Sequence, residues 1–573
     1  MKNYLQSAVI KKDLTRFAPL WGLGTVFVVV YLLISLIPQL DHHQFMKNVP
    51  YLMAFTGNVQ MLYGFLCALF LFGDLFDSRL CNMLHAMPLR REGWFISHII
   101  SGLIFCLIPA VTGALIGAVM LGEFFYGAFL WLGVSLLHFL FFFGAGVFAC
   151  LCAGTKLGAT AVYALVNYGA PLLVGVVKLL CEPLLFGIYI NTEKYNFLCP
   201  AVRFANSRFI TVKYDNVKEL AVVEGLVSRD WIYAGVVACV GILLGVLALV
   251  LYKKRNMETA GNMISLKGFS PVLTVIGALG VGLLLYMIGD FGFFLIGIVI
   301  GYFCMRMLVE KQVKVFRLKN FLGLGVMLLS IVLVLGTVWL DPVGITRYVP
   351  EQSQIRSVTV HPNRANYTGQ QKSILTEKED VDKVLQLHRE ALKQRAEVNN
   401  WNYLVTLEYT LRSGRVVRRT YTVPFDEGFR NTLHGFYSRP QCVMEGITLE
   451  EALEHAVYLE CYGDGGFTQV EITTREHDNL DKSTSENRDY RARVEDRVGS
   501  DPVGEALIRA IYADCEAGTM SQWRLGVNEP AEGYILIYFD DELPTESYQI
   551  INLTFMDNCE NIMQVLAGLE EKS

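Results

Sequence analysis

Read for its alternation of apolar and polar positions, the chain divides near residue 340. Up to that point long apolar runs are separated by short polar ones. A helix crossing a bilayer needs about 20 predominantly apolar residues. Nine windows meet that need: 17–37, 51–73, 96–121, 124–153, 159–181, 231–252, 268–288, 291–308 and 321–340. The seventh and eighth are separated only by Gly289 and Asp290, which predicts a tight helical hairpin or a re-entrant pair. The first window is too long, and lacks the small-residue cleavage site, for a removable signal peptide, so it reads as an anchor.

Before the first window, Leu5, Val9, Ile10 and Leu14 recur among Lys and Arg. Residues 1–16 therefore read as an amphipathic segment able to lie in a membrane interface. Between the second and third windows, Leu80, Met83, Leu84 and Met87 form a helical apolar stripe that stops at Pro88. That spacing predicts a short helix outside the bilayer, placed between two spans.

Beyond residue 340 the pattern becomes that of an α+β domain. Ile355–Val360 alternates as a strand that ends at His361-Pro362. Thr376 followed by Glu379 suggests a capping box for a helix carrying Val381, Val384, Leu385, Leu387, His388 and Leu392. Tyr403–Thr410 and Arg415–Val423 flank a hairpin turn at 412–414. Thr448 starts a short helix to His455. Asp501 and Pro502 form an N-cap and first-turn pair for a helix to about Cys515. Tyr534–Phe539 and Ile550–Phe555 read as strands and 559–569 as a closing helix, whereas 472–500 reads as loop.

Composition sharpens the division. The 573 residues are 53% apolar and 18% charged, against about 25% charged in ordinary soluble domains. The mean hydropathy is +0.38. The net charge of −5 joins two unlike halves. Residues 1–340 carry 25 Lys and Arg against 15 Asp and Glu, a net +10, and residues 341–573 carry 24 against 39, a net −15. The basic excess is scattered between apolar runs, which excludes a nucleic-acid-binding face and fits cationic loops at a bilayer.

With the N-terminus inside, the cytoplasmic segments hold 17 of these 25 cations and the short opposite loops hold only Lys47, so the positive-inside rule favours that orientation. The outer loop 182–230 holds six basic residues, but long loops weigh less in the rule. Nine spans then place residues 341–573 outside the cell. In an oxidising compartment Cys442, Cys461, Cys515 and Cys559 could pair in three ways, or remain buried thiols. The −15 charge suits a soluble domain, or one that binds a cationic peptide.

Little chemistry is visible. There is no HExxH, GxSxG, CxxC, voltage-sensor repeat or potassium-filter motif, and no metal or other cofactor is expected on this chain. Glu476-His477-Asp478 lies in a solvated polar stretch. Within the spans, Asn58 and Gln60 read as groups that tie helices together. His138 reads as a hydrogen-bonded packing residue, and Lys178 as a snorkelling cation near a helix end.

The stretch 79–91, with LHAMPLRREG, resembles the loop after the second span in ABC-2-type permeases. Residues 253–261, KKRNMETAG, resemble the R-x-x-E-x-A-G that follows the sixth span in Gram-positive members. The segments 385–392 and 407–424 and the final strand and helix resemble the DUF6449-type extracytoplasmic domain appended to some of these permeases. The resemblance implies a polytopic α-helical membrane protein with a C-terminal extracytoplasmic α+β domain. It divides the chain into an N-terminal segment 1–16, a six-helix permease core 17–252, three additional membrane segments 253–340 and the outer domain 341–573.

It also implies the permease subunit of an exporter in a bacterial cell membrane, not itself an enzyme, with a second permease copy or paralogue as partner. Arg79, Leu80, Leu84, His85, Pro88 and Arg91 would fall on the first docking loop, with Arg255 and Glu258 on the third. Where the family commonly has Ser-Leu-Pro, this chain has Ala86-Met87-Pro88. The sequence agrees on one point: no GxxxxGK[ST] loop occurs, so ATP and magnesium would sit on a separate ATP-binding subunit. The competing reading is a membrane-anchored sensor or receptor whose acidic domain binds a peptide. A membrane enzyme has no catalytic motif to support it.

Overall fold

The computed structural model describes residues 6–570 apart from 37–41, 87–89, 122–124, 189, 191, 216–219, 256–260, 266–267, 343, 364–372, 394–402, 424–434, 437–438, 445–446, 464–469, 475–489, 495–496, 521–532, 540–549 and 556–558. The chain forms two compact units. One comprises residues 1–184 and 190–340, the other residues 185–189 and 341–573.

The first unit is a helical bundle. Helix α1 (Ser7–Arg16) precedes α2 (Ala18–Leu36), α3 (His42–Leu71), α4 (Ser78–Ala86), α5 (Arg91–Leu121), α6 (Tyr126–Cys152) and α7 (Lys156–Cys181). A short helix α8 (Pro200–Ala205) and a hairpin of β1 (Ile210–Asp215) and β2 (Leu220–Leu226) lead to α9 (Ser228–Lys254), α10 (Phe269–Tyr286), α11 (Phe291–Glu310) and α12 (Leu318–Leu340). Among the described residues eight helices are long and apolar enough to cross a membrane. Helices α1 and α2 meet at a 61° bend and make a ninth when taken together. The protein is therefore a polytopic helical membrane protein. The segment 268–308 forms two full helices, with α11 capped by Asp290, whose carboxylate accepts from Gly292 N at 2.9 Å.

Helix α6 is the hub. It packs on α3, α5, α7 and α9, and from Phe141 to Cys152 every residue is buried. Lipid gives helices no hydrophobic reason to associate, so close approach of small residues supplies the packing. A Cβ on Gly144 would lie 2.1 Å from Gly241 O of α9, and one on Gly146 would lie 2.9 Å from Ala68 Cβ of α3. The α10–α11 pair uses the same device, since a Cβ on Gly297 would lie 2.7 Å from the Gly282 Cα.

The second unit has two sheets, each with its own core. Strands β3 (Ile355–Asn363), β4 (Ser373–Leu375), β5 (Tyr403–Leu411) and β6 (Val416–Val423) form an antiparallel sheet in the order β4-β3-β5-β6, with helix α13 (Lys378–Lys393) supplying apolar residues to its core. Three short elements follow: α14 (Pro440–Val443), α15 (Leu449–His455) and β7 (Ala456–Gly463). Then come β8 (Val470–Thr474), β9 (Tyr490–Val494), α16 (Pro502–Glu516), β10 (Gly533–Phe539), β11 (Ile550–Phe555) and α17 (Glu560–Glu570). The second sheet runs β11-β10-β7-β8-β9 and is antiparallel except for the β8–β9 pair.

The structure corrects three expectations. The region 472–500 contains the end of β8 and all of β9. Its polar sequence hides them because β9 is a short edge strand paired on one side only. Strand β3 continues through Pro362, which pairs in register with Val405. Helix α13 starts at Lys378, two residues after Thr376. The capping box forms instead at Thr448, whose hydroxyl accepts from Glu451 N while Glu451 accepts from Thr448 N at 2.9 Å. Asp501 caps α16 as expected, accepting from Val503 N and Gly504 N.

Candidate functional site

The short turns after α3, α6 and α9 converge at one end of the bundle, and that convergence is built around Arg255. The chain leaves α3 through a 3-10 turn at Gly73–Phe76, and Asp77 then caps α4 by accepting from Arg79 N at 2.8 Å. Arg255 follows α9 directly and is only 8% exposed. Its Nη1 donates to Cys150 O (3.2 Å) and Leu151 O (3.4 Å), carbonyls of the last turn of α6, and its Nη2 donates to Leu75 O at 3.3 Å. A cation at a helix C-terminus satisfies carbonyls that lack intrahelical partners. Here one guanidinium does so for α6 and also ties in the turn that precedes α4.

The chain beyond α9 strengthens the same junction. Gly261 N donates to Gly154 O (2.7 Å) and Ser265 N to Cys152 O (2.8 Å). A Cβ on Gly158 would meet Met263 O at 1.9 Å. Among the described residues two polar contacts join α5 to α9: Arg91 Nη1 donates to Lys253 O (3.4 Å), and Glu92 pairs with Lys253 at 3.1 Å. Helix α4 itself is amphipathic, yet Arg79, Leu80 and Met83 are exposed, with Met83 at 51%.

The residues singled out by sequence thus separate. Arg79, Leu80 and Arg91 lie on or beside α4, and Arg255 lies beneath it as a clamp, out of reach of a partner. The side chains of Leu84, His85 and Pro88, together with Glu258 and Glu476-His477-Asp478, fall outside the described residues. Asn58 is exposed on α3. Gln60 and His138 are buried, and the hydrogen bond expected of His138 is not found among the described residues. Lys178 lies 3.8 Å from Glu182 in the last turn of α7. Of the four C-terminal cysteines, Cys461, Cys515 and Cys559 are buried, and burial pushes the Cys461 thiol up to about 12. The side chain of Cys442, on α14, falls outside the described residues.

A second polar cluster at this end is absent from the sequence reading. Asp13 of α1 is buried, with its Oδ2 2.6 Å from His98 Nδ1 of α5 and accepting from Ser101 Oγ at 2.9 Å. Gln6 N donates to Ser97 Oγ at 3.0 Å. Arg16 pairs with Asp74, beside α4, at 3.2 Å. The signal was available: Asp13 falls three and four residues after Ile10 and Val9, inside the apolar stripe of α1. A carboxylate there requires a buried partner.

In the second unit, His388 is enclosed between two tyrosines. Its Nδ1 lies 2.9 Å from Tyr409 Oη and its Nε2 2.6 Å from Tyr421 Oη. Burial, reinforced by Arg419 and Arg389, lowers the His388 pKa to about 4. Tyr421 also packs against the 185–189 segment: Thr420 N donates to Gly187 O at 3.0 Å. Gly187 has φ +79, and a Cβ there would lie 2.3 Å from the Tyr421 ring, so only glycine fits.

The fold and this junction define a multi-span helical membrane protein with a C-terminal mixed α/β region. No known family model matches the chain, and no curated protein or solved structure shows detectable similarity to it.

Proposed function

We propose that the chain is the permease subunit of an ABC-type exporter, driven by a separate ATP-binding subunit that docks on α4. The observation that carries this reading is α4 itself. It is a capped nine-residue helix held between two spans, with Leu80 and Met83 turned outward and a buried guanidinium behind it. The resemblance of 79–91 and 253–261 to ABC-2 permease loops points the same way, as does the lack of an ATP-binding loop. The positive-inside pattern supports a cytoplasmic α4 and an extracytoplasmic 341–573.

The coupling is that of a lever. Closure of the ATP-loaded partner pushes α4. The push passes through the turn at Leu75 to Arg255, and from there to the ends of α6 and α9. A second permease copy or paralogue completes the pathway, and the paired bundles rock between two arrangements. The test is ATP turnover by the assembled transporter carrying Leu80→Glu and Met83→Glu together. Turnover stimulated by the permease should fall at least tenfold while the variant still inserts into the membrane. Unchanged stimulation removes α4 as the docking element.

A further inference from the structure

Between α3, α6 and α8 the bundle encloses a set of polar atoms with no protein partner. His138, midway along α6, is fully buried, and neither ring nitrogen has a hydrogen-bond partner among the described residues. Ser135, one turn earlier on the same face, has an unpartnered Oγ and is also fully buried. From α3, Gln60 adds an unpartnered Oε1. It lies one turn beyond Gly57, where a Cβ would be 3.6 Å from His138 Cε1. Gly64, the next position on that face, sits against Phe142 and Phe143 of α6. Gln60 is thus bracketed by two close contacts with α6.

The neighbouring Thr56, Trp131 and Tyr163 side chains are satisfied. Thr56 Oγ1 donates to Leu52 O (2.7 Å) and accepts from Trp131 Nε1 (2.8 Å), and Tyr163 Oη donates to Met61 O (2.7 Å). Each buried polar atom left without a partner costs about 1–3 kcal/mol, and a bilayer offers no bulk water to repay it. Four such atoms on two facing helices are explained by an occupant.

The ring that covers His138 is Phe204 of α8. Its ring lies on the His138 imidazole with centroids 3.9 Å apart, and its Cβ approaches the place where a Gly57 side chain would be, at 2.7 Å. Helix α8 is six residues long and is pinned from one side. Arg203 pairs with Asp230 at the start of α9, and Asp230 also accepts from Arg208 N at 2.7 Å. Asp, Glu, Lys and Arg are all absent from 49–71 and from α6. The set offers one imidazole donor, one imidazole acceptor, an amide oxygen and a hydroxyl, inside aromatic walls that include Phe209.

We propose that Ser135, His138 and Gln60 form an intramembrane binding site for an uncharged hydroxyl or amide group carried on an apolar body, and that Phe204 is its removable cover. The ligand's hydroxyl donates to one imidazole nitrogen or to Gln60 Oε1 and accepts from the other nitrogen, and its apolar part lies against the phenylalanines. The site deepens the transport reading by naming a substrate class, but its geometry belongs to this bundle alone. Its test therefore contains no ATPase chain, and its failure leaves the docking reading untouched.

The test uses the full-length protein in lipid nanodiscs with Ser135→Cys. Labelling by N-ethylmaleimide is read by tandem mass spectrometry at position 135 itself, which separates it from Cys106, Cys150 and Cys152 on the same tryptic peptide. Adding Phe204→Ala should raise the labelling rate at least threefold. 1-Octanol should slow it again, whereas octane and glycerol should not. A further His138→Leu should abolish the protection by octanol. Phe204→Leu removes the ring from the imidazole while keeping an apolar side chain on α8, and serves where the alanine variant does not fold; it too should raise the rate at least threefold. A smaller rise in both variants overturns the cover. Equal protection by octane and octanol, or octanol protection that survives His138→Leu, overturns the site.

Discussion

His388 and Arg255 show how much of this protein rests on single buried polar side chains. His388 is held neutral between Tyr409 and Tyr421, with its pKa at about 4 against about 6.5 in an unfolded chain. The unfolded state therefore binds more protons between those values, so stability falls as pH drops from about 6.5 to about 4, by roughly 3 kcal/mol in all. Pulse proteolysis of the C-terminal region at pH 7 and pH 4.5 checks this. His388→Gln should show a smaller loss than wild type over that interval, and an equal loss contradicts the assignment. Arg255→Lys should not rescue Arg255→Ala, because an ammonium on a single stem cannot reach carbonyls of both the α6 end and the turn before α4 in the geometry of the fork. Both variants should speed amide exchange at Gly261 and Ser265. Exchange at wild-type rates in the lysine variant would contradict the clamp. Neither role was legible in the sequence: His388 read as one position of a helical stripe, and Arg255 as a surface docking residue. Burial by distant elements is invisible to local spacing.

At the scale of elements, the sequence was most informative where the bilayer imposes a length. The apolar windows map onto α2, α3, α5–α7 and α9–α12, because one 20-residue period is hard to mistake for anything else. Turn and cap chemistry was legible too, at Asp501, at Thr448 and in the β5–β6 turn, where Gly414 takes φ +80. The reading failed where partners decide the outcome, as in β9, β3 beyond His361 and the start of α13. Close helix crossings also escaped it, since a glycine in an apolar run does not announce what it touches. Gly297→Leu tests one of them. With Gly282 this close, a leucine must push α10 and α11 apart, and the melting temperature should fall by several degrees. An unchanged melting temperature would contradict the packing.

For the whole molecule, the net charge of −5 conceals the organisation that matters. A bundle with +10 carries exposed helix α4 at one end, and a −15 region follows it in sequence. Two groups of buried polar atoms in the bundle bear on this organisation. One is the junction around Arg255, Arg91 and Glu92, with Asp13 and His98 nearby. The other is the set of unpartnered atoms at His138. The first suits transmission of force from outside the chain, and the second suits recognition within it. The region 341–573 has two well-formed cores but no metal-ligating cluster among the described residues. The central claim is that another chain supplies the energy through α4. Co-expression with each Walker-type ATPase chain of the same genome, followed by affinity purification through this chain, tests that claim most directly. The account predicts a stable complex with equal numbers of the two chains that is lost on Leu80→Glu with Met83→Glu. Purification of this chain alone in the wild type, or an unaltered complex in the double variant, would contradict it.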